Sequence, residues 1–484
     1  MEKTLLSDNR AIRWIVLLIV SLTMMFGYFL NDAMAPLMTA LQSDMGWTAS
    51  DYGFFNSSYS WLNVFCLMLI FGGIILDKMG ARFTGTFSCA LMVVGAAIKY
   101  IAVQYVPGPL ADPGHIVLFG HHNQVIIACI GFAVFAMGYE LCGITVSKVI
   151  AKWFTGHEMA LAMGTQVAMA RVGSFAAMFF SPMIAKRWQM STPLLLAGVL
   201  LCVALLAYLV FNVMDSKLDR QVAAQRAARQ RAVSHPATQQ PATVVGDSIA
   251  DASTTSDDDS FHLSDLKAIF TSRSFWLIAA FCLLFYSSVK PFNKFSTSLM
   301  SNKYGFTDDS WFINFVPSLL HLCSLCLTPV FGYLYDRRGK GTTFLISGCF
   351  ILIIALLCFA LPICPTQWFA IVVMTVLGIA YSMVPAVFWP IIPKVIPQRR
   401  LGSAYSLIFW LQNIGLSFVP LLIGKVLDRW CITGNDGGVT TYDYTLPMFI
   451  FVFLALCSIF VAYLLRKENK RHNYGLEEPN INKE

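Results

Sequence analysis

The feature that most constrains this chain is a series of about twelve apolar segments, each long enough to cross roughly 30 Å of hydrocarbon as a helix of about 20 residues. They lie at 12–34, 53–76, 83–105, 125–150, 158–183, 193–213, 274–299, 311–334, 342–362, 367–391, 401–424 and 445–465. Only 13% of the 484 residues are charged and 57% are hydrophobic. Water-soluble globules carry about twice that share of charge. The sequence therefore predicts an all-α membrane protein.

Lysine and arginine are distributed unevenly between alternate connections of the twelve segments. Such residues collect in short loops on the cytoplasmic side of a membrane. The connections after the second, sixth, eighth and tenth segments are basic, as are both ends of the chain, whereas 106–124 holds neither lysine nor arginine. We therefore expect both termini in the cytoplasm. The net charge of +7 belongs to this topology and does not indicate nucleic acid.

A change in composition near 214–272 divides the chain into two halves of six segments. Its first part, KLDRQVAAQRAARQR, is basic and is compatible with a short surface helix, and the remainder is polar and predicted to be disordered. The predicted organisation is a cytoplasmic N-terminus (1–11), a first six-helix bundle (12–213), a cytoplasmic linker (214–272), a second bundle (273–466) and a cytoplasmic tail (467–484).

The two halves share a repeat in the G-x-x-x-D-[RK]-x-G pattern. A glycine favours close helix packing, an aspartate can accept hydrogen bonds from a helix N-terminus, and a second glycine allows a tight turn. Because both copies leave the membrane on the predicted cytoplasmic side, we expect them to act in gating. The candidate gating residues are Gly73, Asp77 and Arg82 in the first copy, and Gly332, Asp336 and Arg337 in the second.

These loops, together with KWFTGHEMALAMG after the fourth segment, resemble the major facilitator superfamily. The resemblance implies two six-helix bundles around a central cavity that opens alternately to either side. The stretches YSWLNV, YELCGITVSKVIAKWF, AMARVGS, VFWPIIPKVIP and LGSAYSLIFWLQNIGLSF are similar to its branch of lysosomal dipeptide uniporters. That branch implies short peptides as substrates and leaves room for an accessory subunit.

Glu140 and Arg171 each lie close to the middle of an apolar segment, the fourth and the fifth. A charge at that depth costs several kcal/mol and must face other protein groups or water. The two residues either form a buried ion pair between neighbouring helices or hold the charged ends of a substrate. In the resembling branch, the matching glutamate and arginine serve the amino and carboxyl ends of the peptide.

Several polar and aromatic side chains are further candidates for the cavity wall. Trp389 matches a cavity tryptophan of the resembling branch, although a lone aromatic residue also serves as packing. Four more residues either line the cavity or form interhelical hydrogen bonds. They are Tyr59, Asn63, Gln412 and Asn413.

The seventh segment departs from the resembling family, which has an apolar residue at the position of Lys290. Lys290 and Lys294 are four residues apart and share one helical face. We expect Lys294 to extend to the outer membrane interface. Asp32 is a candidate partner for Lys290, which would either neutralise that carboxylate or favour substrates with an acidic side chain.

The predicted function is secondary transport of dipeptides or similar small zwitterions by alternating access. An organic-anion carrier using Arg171 and Lys290, and a transporter-like sensor or scaffold, are the alternatives. The sequence shows no nucleotide-binding loop, metal-ligand spacing or nucleophile and base pair, so no cofactor and no enzymatic activity are expected. The partners expected are a small-molecule substrate and the lipid bilayer. MEKTLL is a poor match to an acidic dileucine signal, which favours a bacterial inner membrane over a lysosomal one.

Overall fold

The computed structural model describes residues 6–114, 116–154, 158–234, 271–306, 311–397, 401–436 and 439–479. Within these ranges the chain is dominated by α-helices. They are α1 (Arg10–Asp32), α2 (Met38–Met45), α3 (Ala49–Ser58), α4 (Trp61–Phe65), α5 (Met68–Tyr105), α6 (Asn123–Phe154), α7 (Met159–Arg187), α8 (Thr192–Ser234), α9 (Arg273–Tyr304), α10 (Phe312–Arg338), α11 (Gly341–Ala360), α12 (Gln367–Val395), α13 (Leu401–Trp430) and α14 (Thr445–His472).

Eleven helical stretches of the described chain are long and apolar enough to cross a membrane. The second predicted segment, 53–76, is the one that is interrupted. It passes through α3 and α4 and enters α5, with breaks around Ser60 and at Leu67, which has φ = +53°. Hydropathy alone does not reveal such breaks, because the residues on either side of them are as apolar as a continuous helix.

The polar groups at the helix ends are satisfied by the residues expected there. The Asn9 side chain accepts from the backbone N–H groups of Ala11 and Ile12 at the start of α1. Thr48 and Asp51 form a reciprocal capping box at the start of α3. These caps fix where each helix begins at the membrane edge.

The helices form two bundles that meet at one face of the molecule. We call this the outer face, where α1 ends and α3 begins; the opposite face, where α1 begins and α14 ends, is the inner face. At the outer face α13 packs against α3, and α10 packs against α7. At the inner face, a Cβ placed on Gly73 or Gly332 would meet no other described atom within 4 Å. The described bundles therefore meet at the outer face, and the two repeat glycines at the inner face border open space.

Both copies of the predicted repeat contain a turn that requires glycine. Gly80, at a kink within α5, has φ = +77°, and Gly339, directly after α10, has φ = +67°. L side chains rarely adopt this backbone region. The repeat in the sequence therefore corresponds to a repeated backbone turn at the inner face.

The predicted linker and the predicted tail each begin as a continuation of the preceding helix, α8 and α14 respectively. The basic stretch KLDRQVAAQRAARQR continues α8 rather than forming a separate surface helix, whereas the polar part of the predicted linker, 235–270, lies outside the described residues. The predicted tail folds back onto the turn after α10: the Lys340 and Gly341 amides donate to the carbonyl oxygens of Glu477 and Leu476, each at 2.9 Å.

Two short antiparallel hairpins lie at the outer face and were not expected from the sequence. β1 (Ile116–Leu118) pairs with β2 (His121–His122), and β3 (Ile432–Asp436) pairs with β4 (Val439–Tyr442). The imidazole of His121 lies 2.6 Å from the Asp51 carboxylate, and it stacks on Phe54 at 4.1 Å between ring centroids. The first hairpin thereby covers the start of α3.

Candidate functional site

The carboxylate of Glu140 projects from the middle of α6 and is partly buried. It accepts a hydrogen bond from the hydroxyl of Tyr59, which lies in the turn between α3 and α4. The break in the second predicted segment places this hydroxyl opposite α6. Tyr59 also contacts Tyr139 at 6.2 Å, and Tyr139 contacts Tyr28 at 5.1 Å, each between ring centroids. The tyrosine that binds the glutamate is therefore part of a chain of three packed tyrosine rings in the first bundle.

The guanidinium group of Arg171 projects from α7 toward the second bundle. Its Nη1 donates to the hydroxyl of Tyr381 on α12 at 3.2 Å, and its central carbon lies 5.4 Å from the centroid of the same ring. Arg171 therefore links the two bundles near mid-membrane. It forms no salt bridge with Glu140, and both residues belong to the described chain. The ion pair considered as one interpretation of the sequence is absent from this conformation.

Lys290, Tyr286 and Trp389 form a continuous surface on the second bundle. The indole Nε1 of Trp389 donates to the Tyr286 hydroxyl at 3.1 Å, and the Lys290 ammonium lies 5.3 Å from the Tyr286 ring centroid. Trp389 also stacks on Phe409 at 4.9 Å between ring centroids. The indole thus has both a packing contact and a polar contact within the second bundle.

Asn63, Gln412 and Asn413 are all buried. Gln412 accepts from the thiol of Cys282 on α9 at 3.7 Å, and Asn413 donates to the carbonyl oxygen of Phe409 in its own helix. The Nδ2 of Asn63 and the Oδ1 of Asn413 have no hydrogen-bond partner among the described residues. An unmatched donor and an unmatched acceptor are therefore present on α4 and α13.

The partner of Asp32 is Lys294 rather than Lys290, so this expectation was wrong. The Lys294 ammonium lies 2.8 Å from the Asp32 carboxylate and donates to the Asn31 carbonyl at 2.9 Å. Ser174 donates to the same carboxylate at 2.6 Å. Lys294 therefore points inward to α1 instead of extending to the outer interface. Pro291 lies between the two lysines within α9, and a proline can alter the direction of the following turn.

Two ionisable groups near this pair were missed in the sequence, although they lie within apolar segments as Glu140 does. Lys99 is 0% exposed, and its ammonium lies 4.2 Å from the ring centroid of Phe132 and 3.4 Å from the carbonyl oxygen of Leu30. His321 is buried on α10, with Nε2 3.2 Å from the amide nitrogen of Asn293. The same search for charges deep in the membrane would have identified both.

The candidate gating residues lie at the inner face. Arg82 pairs with Asp219 at 3.1 Å and with Asp215 at 3.7 Å, both on α8, so its contacts stay within the first bundle. The guanidinium carbon of Arg337 lies 5.2 Å from the Tyr333 ring centroid. Asp336 lies in the last turn of α10, and the side chain of Asp77 is outside the described part of the structure.

We expect Gly73→Val and Gly332→Val to hold the protein open at the inner face. Both glycines have room for a side chain in the present conformation, whereas approach of the bundles at this face would bring the added methyl groups into contact. Distances between spin labels across the inner face should lengthen on average. The matched control is Gly198→Val, where an added Cβ meets only the Ala96 Cβ at 3.9 Å. Unchanged distance distributions in both variants would contradict the gating role.

Among the described residues, no three His, Cys, Asp or Glu side chains are grouped so as to hold a metal ion. The groups between the bundles are instead the carboxylate of Glu140, the cations Arg171 and Lys290, and the hydroxyls of several tyrosines. Such a set binds small charged molecules by ion pairing and hydrogen bonding.

Comparisons with known proteins agree with the architecture. A family model described as Major Facilitator Superfamily matches residues 17–420. "Lysosomal dipeptide transporter MFSD1" of Homo sapiens is 24% identical over 480 residues, covering 96% of this chain and 89% of the relative. The Danio rerio protein of the same name is 26% identical over 431 residues, covering 87% and 82%. The crystal structure of a bacterial homologue of the human lysosomal transporter Spinster, inward-facing and unoccupied, aligns with a TM-score of 0.67 at 12% identity, covering 96% of this chain and 98% of that one. The predicted fold and family resemblance are confirmed.

Proposed function

Since this chain belongs to the Major Facilitator Superfamily and is a multi-pass membrane protein, we propose that it transports dipeptides or similar small zwitterions by alternating access. The superfamily and its relatives are transporters, which implies a small-molecule substrate and a lipid environment. The names of the similar proteins support dipeptides as the substrate class. The proposal assigns no catalytic step to the chain.

The observation that carries the proposal is that Glu140 and Arg171 are opposite charges that do not neutralise each other. Each is held by a tyrosine hydroxyl, from Tyr59 and Tyr381 respectively. A hydroxyl is a weaker partner for a charge than an opposite charge, so a substrate ammonium or carboxylate can replace it with a gain in free energy. Glu140 then binds the amino end of a dipeptide and Arg171 its carboxyl end.

The positions of these groups connect binding to the change between open states. Glu140 and Arg171 belong to the first bundle, whereas Tyr381 and Trp389 belong to the second. A dipeptide that displaces Tyr381 from Arg171 and contacts Trp389 would therefore interact with both bundles. Its interaction with the two bundles differs between the open states, which is what allows a ligand to shift their populations.

The proposal is tested with free, N-acetylated and C-amidated dipeptides on the purified protein. We expect Glu140→Gln to weaken free dipeptides about 10- to 100-fold, the loss that follows removal of a charged hydrogen-bond partner. The same variant should leave N-acetylated dipeptides nearly unchanged, because these lack the ammonium group. Arg171→Ala should weaken free dipeptides to a similar degree and leave C-amidated dipeptides nearly unchanged, because these lack the terminal carboxylate. Binding by calorimetry and uptake into proteoliposomes provide the two measurements.

The control for the glutamate is Glu158→Gln, which removes an exposed carboxylate that pairs with Arg13 at 3.1 Å. It should leave the ratio of free to acetylated dipeptide affinity unchanged. Removing Glu140 and Arg171 together should weaken free dipeptides more than either change alone, because the two residues hold different ends. A double variant that transports free dipeptides normally would overturn the assignment.

The second candidate is an organic-anion carrier, which is favoured by two cations, Arg171 and Lys290, on facing bundles. Uptake of dicarboxylates that exceeds uptake of every dipeptide would select it. A transporter-like sensor or scaffold would bind dipeptides without uptake by correctly inserted protein. We also propose that the protein resides in a bacterial inner membrane, which fractionation of native membranes tests. The family resemblance allows an accessory subunit, and affinity purification from those membranes would detect it.

A further inference from the structure

Lys290 is a cation without an acidic partner in the part of the chain that the structure describes. Asp32, the carboxylate expected to neutralise it, is bound by Lys294 at 2.8 Å. The Lys290 ammonium contacts the ring of Tyr286 at 5.3 Å and is partly exposed between the bundles. A charge at this depth needs a counter-charge or water.

The groups proposed to bind a dipeptide do not supply that counter-charge. Glu140 carries one negative charge, while Arg171 and Lys290 carry one positive charge each. Lys290 is near enough to Glu140 for attraction through space, but it forms no salt bridge with it in the described structure. A zwitterionic dipeptide adds no net charge, so one positive charge would remain. A dipeptide with one acidic side chain would neutralise the site.

The geometry points to a third recognition group, and we propose that Lys290 selects dipeptides that carry an acidic side chain. This inference rests on the proposed function and deepens it. Tyr286 contacts Lys290 and accepts a hydrogen bond from Trp389, and Arg171 reaches the same bundle through the Tyr381 hydroxyl. The two cations thus lie on opposite bundles, and each contacts a tyrosine of the second bundle, so that Arg171 binds the terminal carboxylate and Lys290 the side-chain carboxylate.

Selection arises from repulsion as well as attraction. A lysine or arginine side chain placed beside Lys290 would add a like charge in a region poor in water, and a neutral side chain would leave the ammonium unmatched. The expected order of affinity is therefore acidic, then neutral, then basic side chains.

The test measures affinity and uptake of Ala-Glu, Ala-Gln and Ala-Lys by the full-length protein in proteoliposomes. Glutamate and glutamine have nearly the same shape, so their comparison isolates the charge. We expect the wild type to prefer Ala-Glu over Ala-Gln by about 10- to 100-fold, as for a charge-assisted contact. Lys290→Met should abolish the preference and change Ala-Gln affinity only a few-fold. Lys290→Arg should retain the preference.

The control is Lys303→Met, at the outer end of the same helix, where the ammonium donates to the carbonyl oxygens of Phe359 and Leu361. It should keep the preference of the wild type. Equal binding of Ala-Glu and Ala-Gln by the wild type would overturn the inference while leaving dipeptide transport intact. Equal weakening of all three peptides by Lys290→Met would overturn the inference and show that Lys290 acts through Glu140 rather than on the substrate side chain. Failure of the wild type to bind any dipeptide would reject the proposed function itself.

Discussion

Lys294→Met should destabilise the protein by about 3–5 kcal/mol, the cost typical of leaving one member of a buried ion pair without its partner. Asp32 is 5% exposed and would retain only the hydrogen bonds from Asn31 and Ser174. The carboxylate would then be a buried charge with no cation in contact. Thermal unfolding of the purified protein in detergent measures the loss.

A double variant separates the ion pair from the space that the side chains occupy. Replacing Asp32 by Asn in the Lys294→Met background removes the unpaired charge and should recover much of the lost stability. Lys303→Met, on the same helix, changes the same residue type near the outer membrane edge and should cost much less. If the single and double variants unfold at the same temperature, the ion pair does not control stability.

The sequence was sufficient to predict the architecture because the membrane imposes a strong length requirement on apolar helices. The limits of that reasoning are visible in the second segment. Breaks near Ser60 and at Leu67 follow from how α4 packs between α6 and α13, which depends on residues distant in the chain. A sum of hydropathy values contains no information on those contacts.

The positions of the charged residues of the site could be predicted from the sequence, but their partners could not. Glu140 and Arg171 could be identified because few charges are tolerated at mid-membrane. The choice of partners was not predictable: Lys290 and Lys294 occupy the same face of an ideal helix, and the bundle arrangement decides which one reaches Asp32. Tyr381 and Tyr286 were missed because a tyrosine within an apolar segment resembles ordinary packing until its neighbours are known.

The contacts at the outer face join residues that are distant in the sequence. Asp428, at the end of α13, accepts from the backbone amides of Ala49 at 3.1 Å and Ser50 at 2.5 Å, at the start of α3. The residues lie nearly four hundred positions apart, so no local pattern connects them. The negative side chain meets the positive end of a helix dipole from the other bundle, which favours closure of this face.

Gly53 packs closely on α13 and forms a second part of the contact between α3 and α13 at the outer face. A Cβ added to Gly53 would collide with the carbonyl oxygen of Pro420 and would lie 3.0 Å from the Cα of Gly424. Both are backbone atoms, so no change of side-chain rotamer relieves the collision. We therefore expect Gly53→Val to separate the bundles at the outer face and to shift the population strongly toward an outer-open state. Overpacking typically costs about 1–3 kcal/mol, which changes the ratio of two states by about 5- to 150-fold.

The shift can be measured as the distance between spin labels at Ser43 and Asn435, which are exposed on opposite bundles at the outer face. The exposed cysteines Cys66, Cys202 and Cys326 are first replaced by serine to prevent unwanted labelling. Gly53→Val should move a substantial share of the distance distribution to longer values, and Gly198→Val should not.

Asp428→Ala is the independent measure of the same closure, because it removes the acceptor for two backbone amides without adding bulk. It should lengthen the distance in a smaller fraction of molecules than Gly53→Val does, since loss of a capping interaction typically costs about 1 kcal/mol. An unchanged distribution in Gly53→Val, with the protein correctly folded, would show that α3 and α13 can shift past each other without opening. Closure of the outer face would then depend on the Asp32 and Lys294 ion pair and on the contact of α7 with α10, rather than on the meeting of α3 with α13.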